Sequence, residues 1–313
     1  MIKGNILHIL FEDPLIACVR LDAKTAPTLD WLARRANGAN FHVCLMPSWS
    51  LRKTLGRRYG EIEPSLKAHP NMTCVMLAQE PNDEILIREI GMEPVLCNHN
   101  CFLDEAVMYP EPGREKRFDA IYVGRYNPFK RHELAWDVPN IAVVTAKFGV
   151  QPDIAADLQK GYRSLAWSNF DPDTGVTLQS VEEVRGLLSE AYCGLALSAE
   201  EGAMYAAGEY ALAGLPIVTT PSIGGRDQFF LPEWVKTVQP DPAEISAAVE
   251  AFKQAPPSPE MIRSRTLDLM RPHRENLIGW LERILQHPLR ERARPTGWLP
   301  EFTHRMQVWH NFT

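Results

Sequence analysis

Apolar residues fall into short runs separated by longer mixed stretches, the pattern of strands joined by helices. Asn5–Phe11, Phe41–Met46, Thr73–Ala78 and Pro94–Cys97 read as strands. Helices are predicted over Leu29–Ala36, with Pro27 where a first turn accepts it, over Ser50–Tyr59 behind a Ser cap, and over Asn82–Ile90 behind an Asn cap. Strands spaced by helices of this length favour a parallel sheet with crossover connections. Pro110, Pro112 and Gly113 close this first unit as a linker.

A second unit begins at Phe118. Ala120–Val123, Ile141–Thr145, Gly194–Leu197 and Ile217–Thr220 read as strands, with helices from about Lys130 and over Asp153–Tyr162. Ser180 and Glu183 have capping-box spacing and open a helix to about Tyr192; Asp241 and Glu244 open another to about Lys253. A small-residue helix ends at Gly214, where glycine suits a left-handed cap. Ser258 starts one more helix and Arg274–Leu285 forms the last, followed by Trp298, Phe302, Trp309 and Phe312. Leu277, Ile278, Leu281, Ile284 and Leu285 make an apolar stripe that needs a partner. The expected partner is the first unit, with Pro272 marking the crossing point. The division is therefore 1–112, 113–271 and a returning segment 272–313.

Composition narrows the class. The 313 residues amount to about two domains. With 45% hydrophobic and 23% charged residues the chain is globular rather than disordered. A net charge of -6 offers no basic field for nucleic acid. No apolar run is long enough to span a bilayer, and Met1-Ile2-Lys3-Gly4 opens no signal peptide. The 6 scattered cysteines lack a disulfide framework, so a reducing cytoplasm is expected. Cys97 and Cys101 flank His99, too few ligands for a structural zinc, and no metal is expected. Arg52, Lys53, Arg57 and Arg58 spread around a helix, so they read as a solvated face; contact with an anionic lipid-linked acceptor is the alternative.

The candidate chemistry lies in the second unit. Gly-x-Gly-x-x-Gly does not follow the first strand and a Walker A sequence is absent, which argues against dinucleotide and P-loop sites. Gly124 and Arg125 end a predicted strand and Lys130 follows five residues later. Two cations and helix amides at a strand's carboxyl end suit a diphosphate; surface charges around a turn are the bland alternative. Glu201 and Glu209 are separated by seven residues, a little over two helical turns, and can address one cleft from different depths. Carboxylates accept hydroxyl donors, as ribose or sugar recognition requires; two unrelated solvated glutamates are the alternative.

Together these residues resemble the retaining GT-B glycosyltransferases of the family 4 type. Arg125 and Lys130 match that family's cationic pair, Glu201 and Glu209 its paired glutamates, and Gly214, Pro216, Ile217 and Val218 the tail of the motif. Gly224-Gly225 falls where the family often carries paired glycines, and the likeness spans roughly residues 118–255. It implies an α/β fold of two Rossmann-like domains, the first unusually short. It further implies hexosyl transfer, in polysaccharide biosynthesis, from a UDP- or GDP-linked donor to a saccharide or lipid-linked acceptor with retention. No separate cofactor is needed, and the setting is the cytoplasm or the inner face of the membrane.

By that resemblance Arg125 and Lys130 bind the donor diphosphate, Glu209 the ribose hydroxyls and Glu201 the donor sugar. Backbone amides at Ala203, Met204 and Tyr205 aim at phosphate or sugar. The chain departs from the family at Met204 and Tyr205, where glycine and leucine are usual, and at Arg131, which adds a third cation in place of glycine. The short first domain also lacks the family's glycine-rich loop. A catalytic base is open among His8, His42 and His99; His99 is preferred because Asn98 and Asn100 flank it on the way to the second domain. A nucleotide-sugar epimerase of the same architecture and a non-catalytic nucleotide-sugar-binding module are the alternatives.

Overall fold

The computed structural model describes residues 6–125, 127–145, 166–167, 169–171 and 175–306. The first unit holds one five-stranded sheet in simple sequential order, β1 (Leu7–Glu12), β2 (Leu15–Leu21), β3 (Phe41–Pro47), β4 (Met72–Ala78) and β5 (Glu93–Leu96). β1 and β2 form an antiparallel hairpin; β2 to β5 are parallel. The crossovers are α1 (Thr25–Ala36), α2 (Leu51–Ala68) and α3 (Pro81–Glu89).

Sequential order has a packing consequence. Crossovers of one hand that always step in one direction put their helices on one face of the sheet. Leu29 and Leu32 of α1, Leu51, Leu55 and Ile62 of α2 and Ile87 of α3 accordingly pack on Ala17, Val19, Val43, Leu45 and Met76. The alternate residues Ile16, Cys18, Cys44, Met46, Val75 and Leu77 face the other way, into the core shared with the second unit. Both faces of β2 are thus buried, and apart from Arg20 it is an apolar run with no period of its own. For that reason the sequence pattern does not register it as a strand between Phe11 and Leu29.

The second unit is a six-stranded parallel sheet. β6 (Ala120–Val123), β7 (Ile141–Val144) and β8 (Ala166–Trp167) step outward one way; β9 (Phe170–Asp171) and β10 (Gly175–Val176) form a separate small ribbon. The chain then returns to the other side of β6 with β11 (Gly194–Ala196), β12 (Ile217–Thr219) and β13 (Val235–Thr237). Among the described residues its helices are α4 (Val181–Ser189), α5 (Tyr205–Leu212), α6 (Pro242–Gln254) and α7 (Pro259–Leu285). Ser180 and Glu183 close a full capping box on α4, and Asp241 accepts from the amides of Ala243 and Glu244 at α6. The predicted Asp153–Tyr162 helix lies outside the described residues, as do Trp309 and Phe312.

Three local expectations are corrected. No α-helix follows Lys130: Pro128–Lys130 and His132–Ala135 are single 3-10 turns, broken at Arg131 by a left-handed φ of 51°. α3 begins with Pro81, one position before the expected Asn cap, and Glu80 at the cap position makes no side-chain capping bond. The two predicted C-terminal helices are one, α7, running unbroken through Pro272. Proline removes one backbone donor and bends a helix, but Met270, His273, Leu277, Ile278, Trp280 and Leu281 are buried on both sides of it, and this packing sustains the helix.

α7 and the chain beyond it cover the face of the first sheet that its own helices leave bare. Asn276 donates to the Leu96 carbonyl at 3.0 Å, Arg283 pairs with Glu93 at 2.9 Å, and Phe302 meets Phe102 edge-on at 5.4 Å. His8 Nε2 lies 2.9 Å from the Glu301 carbonyl oxygen.

Candidate functional site

Strand order decides where a ligand can sit. In an open α/β sheet the crevice forms where the order reverses, outside the carboxyl ends of the strands. The first sheet never reverses, so it has no such crevice. The second reverses between β6 and β11. Gly124, Arg125 and Lys130 follow β6, and Glu201 follows β11, so these residues flank the switch point.

A cleft of about 280 Å³ opens there. Gly124, Arg125, Lys130, Glu201, Ala203, Met204, Tyr205 and Glu209 all line it, with His99 on the side of the first unit. The sequence reading did not anticipate Arg20, Ser48, Trp49 and Arg305, which also line it. Arg20, Ser48 and Trp49 sit on or just after strands of the first sheet, and only the packing of the two units brings them to this wall. Among the described residues lining the cleft, four side chains are cationic (Arg20, Arg125, Lys130, Arg305) and two are carboxylates (Glu201, Glu209).

Lys130 and Glu201 form a buried ion pair, each side chain 9% exposed. Tyr122 donates its hydroxyl to the Lys130 carbonyl, and His132 Nε2 lies 3.1 Å from the Arg125 carbonyl oxygen, which pins the loop that carries both cations. Arg125 sits at the rim, where burial first and then the nearby Arg20 disfavour its charged form. An anion bound between them would relieve that repulsion.

Arg131 does not supply the expected third cation. Its left-handed backbone turns the guanidinium toward the ends of β11 and β12, where it donates to the Leu197 carbonyl and, at 2.5 Å, to Thr220 Oγ1. Arg226, fully buried, ties the same strand ends: it donates to the carbonyls of Ala196, Ser198 and Thr220 at 2.9, 2.5 and 2.5 Å. Two guanidiniums therefore brace the turn that presents Glu201.

Two glycines permit the close approach of loops at Glu201. A Cβ on Gly202 would stand 2.9 Å from the backbone of Ser48 and Trp49 in the first unit. Gly224 has φ +99°, and a Cβ there would strike the Glu201 carbonyl.

His99 is buried, its ring stacked on Tyr205 with centroids 5.2 Å apart and hydrogen-bonded to the Ala203 backbone. Burial lowers its pKa to about 4. That value is far below the range in which a general base works best at neutral pH, and the neutral ring is suited to holding the Ala203–Tyr205 turn. His8 is engaged with Glu301, and His42 is absent from the described lining of the cleft.

Burial also lowers His132 and His273 to about 4; the Asn98 amide donates to His273 Nδ1 at 3.1 Å. Each folded value lies below the ordinary 6.5. These rings therefore contribute stability above pH 6.5 that is lost as pH falls through 4, at up to about 1.4 kcal/mol per pH unit per ring. We expect the Tm to fall between pH 6.5 and 4 and the three imidazoles to titrate near 4 by NMR. Ordinary titration near 6.5 with a flat Tm would show that the rings charge without cost.

Among the described residues no group of three or more His, Cys, Asp or Glu side chains could hold a metal ion, and no helix is long and apolar enough to cross a membrane. Arg52, Lys53 and Arg58 of α2 face Glu80, Glu200 and Glu61, which neutralises most of the basic face considered from the sequence.

No family model matches the chain, and no curated protein matches it. Solved structures do. Sucrose-phosphate synthase from Thermosynechococcus elongatus aligns over 84% of this chain and 79% of its own, at 14% identity and a TM-score of 0.58. HepE from Anabaena, solved in complex with UDP, aligns over 84% and 83%, at 10% identity and a TM-score of 0.59. TarM from S. aureus, solved with fondaparinux, α-GlcNAc-glycerol and UDP, aligns at 13% identity and a TM-score of 0.58 over 79% of this chain; the chain spans only 51% of TarM. These neighbours define the fold: two Rossmann-like units in the GT-B arrangement.

Proposed function

We propose that the chain is a glycosyltransferase of the retaining family 4 type, moving a sugar from a UDP- or GDP-linked donor to a saccharide or lipid-linked acceptor. The observation that carries this reading is the charge of the cleft at the switch point. Four cations line the cleft against two carboxylates, with Arg20 also meeting Asp22 at 3.7 Å outside the lining, and this cationic bias suits a diphosphate. Arg125 and Lys130 hold the diphosphate and stabilise the departing nucleotide without a metal; Glu201 addresses the sugar and Glu209 the ribose. His99 shapes the sugar pocket through the Ala203 turn. With no switch crevice in the first sheet, the second unit carries the donor, and Arg20, Ser48 and Trp49 form the acceptor-side wall. The 6 free thiols accord with a reducing, cytoplasmic setting. Two structural neighbours, HepE and TarM, were solved with UDP, which accords with such a donor.

Product analysis over a panel of UDP- and GDP-sugars tests the reading. Sugar transfer or slow donor hydrolysis supports it; epimer formation, or binding without turnover, replaces it by one of the two alternatives. The two glutamates separate in calorimetry with the bare nucleotide. Glu209→Gln is expected to weaken nucleotide binding by about 1–2 kcal/mol, since the amide keeps an acceptor oxygen and loses the charge that strengthens the bond. Glu201→Gln spares that binding and impairs transfer. Equal losses of affinity in both variants would remove the division of roles.

A further inference from the structure

We propose that the C-terminal segment completes the nucleotide subsite: Arg305 is a positioning residue that engages Oε1 of Glu209 and leaves Oε2 as the acceptor for a ribose hydroxyl. The inference rests on the nucleotide-site reading above and extends it to a residue 96 positions away in sequence.

Glu209 is 1% exposed, in the interior of α5. Its Oε1 accepts from both Nε, at 2.8 Å, and Nη2 of Arg305. His304 stands behind the pair, with Nε2 3.6 Å from the same oxygen. The Asp104 amide donates to His304 Nδ1 at 3.1 Å, so the neutral ring carries its proton on Nε2, facing Glu209. Oε2 is buried and has no hydrogen-bond partner among the described residues. Glu209 lines the cleft, and among the described residues the one other unpartnered group at this carboxylate is His304 Nε2, 3.6 Å from Oε1. A buried acceptor without a donor is costly, and a hydroxyl from the ligand satisfies it.

The segment is held rather than loosely laid over the site. Tyr205 donates its hydroxyl to the Arg305 carbonyl at 2.9 Å, and the guanidinium lies 5.8 Å from the Tyr205 ring centroid. Trp298 and Phe302, just upstream, are buried in the shared core. Arg305 has φ 62°, a left-handed conformation that a non-glycine residue keeps only where its surroundings enforce it. Electrostatics agree with the geometry: burial pushes the Glu209 carboxyl up, yet the charge of Arg305 and the neighbouring His304 bring it below its ordinary value. Arg305 thus keeps Glu209 ionised, with both oxygens acceptors only.

The test is calorimetry on the full chain with UDP, GDP and their 2′,3′-dideoxy analogues, comparing native protein with Arg305→Ala, Arg305→Gln and Arg305→Lys. The native chain is expected to prefer the ribose form of the diphosphate it binds by about tenfold or more, the scale of a hydrogen bond to a charged acceptor. Arg305→Ala should keep its affinity for the dideoxy form and lose most of that preference, and Arg305→Lys should regain part of it. A loss of packing alone would weaken both forms equally and overturn the proposal. Tighter binding of both forms to Arg305→Ala would overturn it too, showing that the segment blocks the site. If Arg305→Ala does not fold, Arg305→Gln, which keeps a donor without the charge, carries the same comparison. A native chain that binds neither diphosphate removes the nucleotide-site reading and this proposal with it. Native binding with an unchanged ribose preference in every variant removes the role of Arg305 alone.

Discussion

Lys130→Met is expected to lower sugar transfer by about 10²–10³, the loss seen when one preorganised electrostatic group is removed from developing charge. It is also expected to destabilise the fold by about 3–5 kcal/mol, because it strands the buried Glu201 carboxylate without its cation. The two effects have different remedies. Lys130→Met combined with Glu201→Gln removes the stranded charge, so denaturant unfolding should show most of the stability restored. Transfer should stay low, since Arg125 is then left without the second member of the proposed cationic pair and Glu201→Gln itself impairs transfer. Single-turnover rates beside unfolding curves decide the matter. Recovery of transfer in the double variant would show that Lys130 serves only to neutralise Glu201.

Arg274→Met should be the most destabilising substitution outside the cleft. Its guanidinium is fully buried and donates to the carbonyls of Cys101, Leu103 and Thr296 at 2.9, 3.0 and 3.1 Å. It also pairs with Glu105 at 3.0 Å and lies 5.2 Å from the Trp298 ring centroid. One side chain thus joins α7, the connection leaving the first sheet, and the C-terminal segment. Methionine fills much of the volume but leaves three carbonyls without their donor and Glu105 without its closest cation. The expected cost is about 3–5 kcal/mol, roughly a 5–8 °C fall in Tm for a chain of this size. Because Trp298 and Phe302 are upstream of Arg305, nucleotide binding should weaken as well. A Tm unchanged from native would mean that α7 and the segment are held by apolar packing alone.

The local elements were largely legible in the sequence because their causes are local. Ser180 and Glu183 cap α4 through bonds three residues apart, and Gly214 takes φ +73° at the end of α5. The spacing of Glu201 and Glu209 likewise identifies two carboxylates at neighbouring depths, and both line the cleft with Arg125, Lys130 and His99. What the pattern misplaced depends on partners distant in the chain. β2 has no period because two separate layers bury its two faces. Pro272 does not end a helix, because buried residues on both sides hold α7 together. Arg131 looks like a third phosphate cation until its left-handed backbone aims it at the strand ends. Arg20 and Arg305 belong to no motif; they reach the cleft only because the bare face of a sequentially ordered sheet must be covered, and α7 with the segment behind it covers that face. Residue type and spacing thus determine capping, helix periodicity and the paired carboxylates, since hydrogen bonds and sterics within a few residues set them. Which cation meets which carboxylate is decided by the tertiary structure, since that depends on how apolar faces far apart in the chain find cover from water.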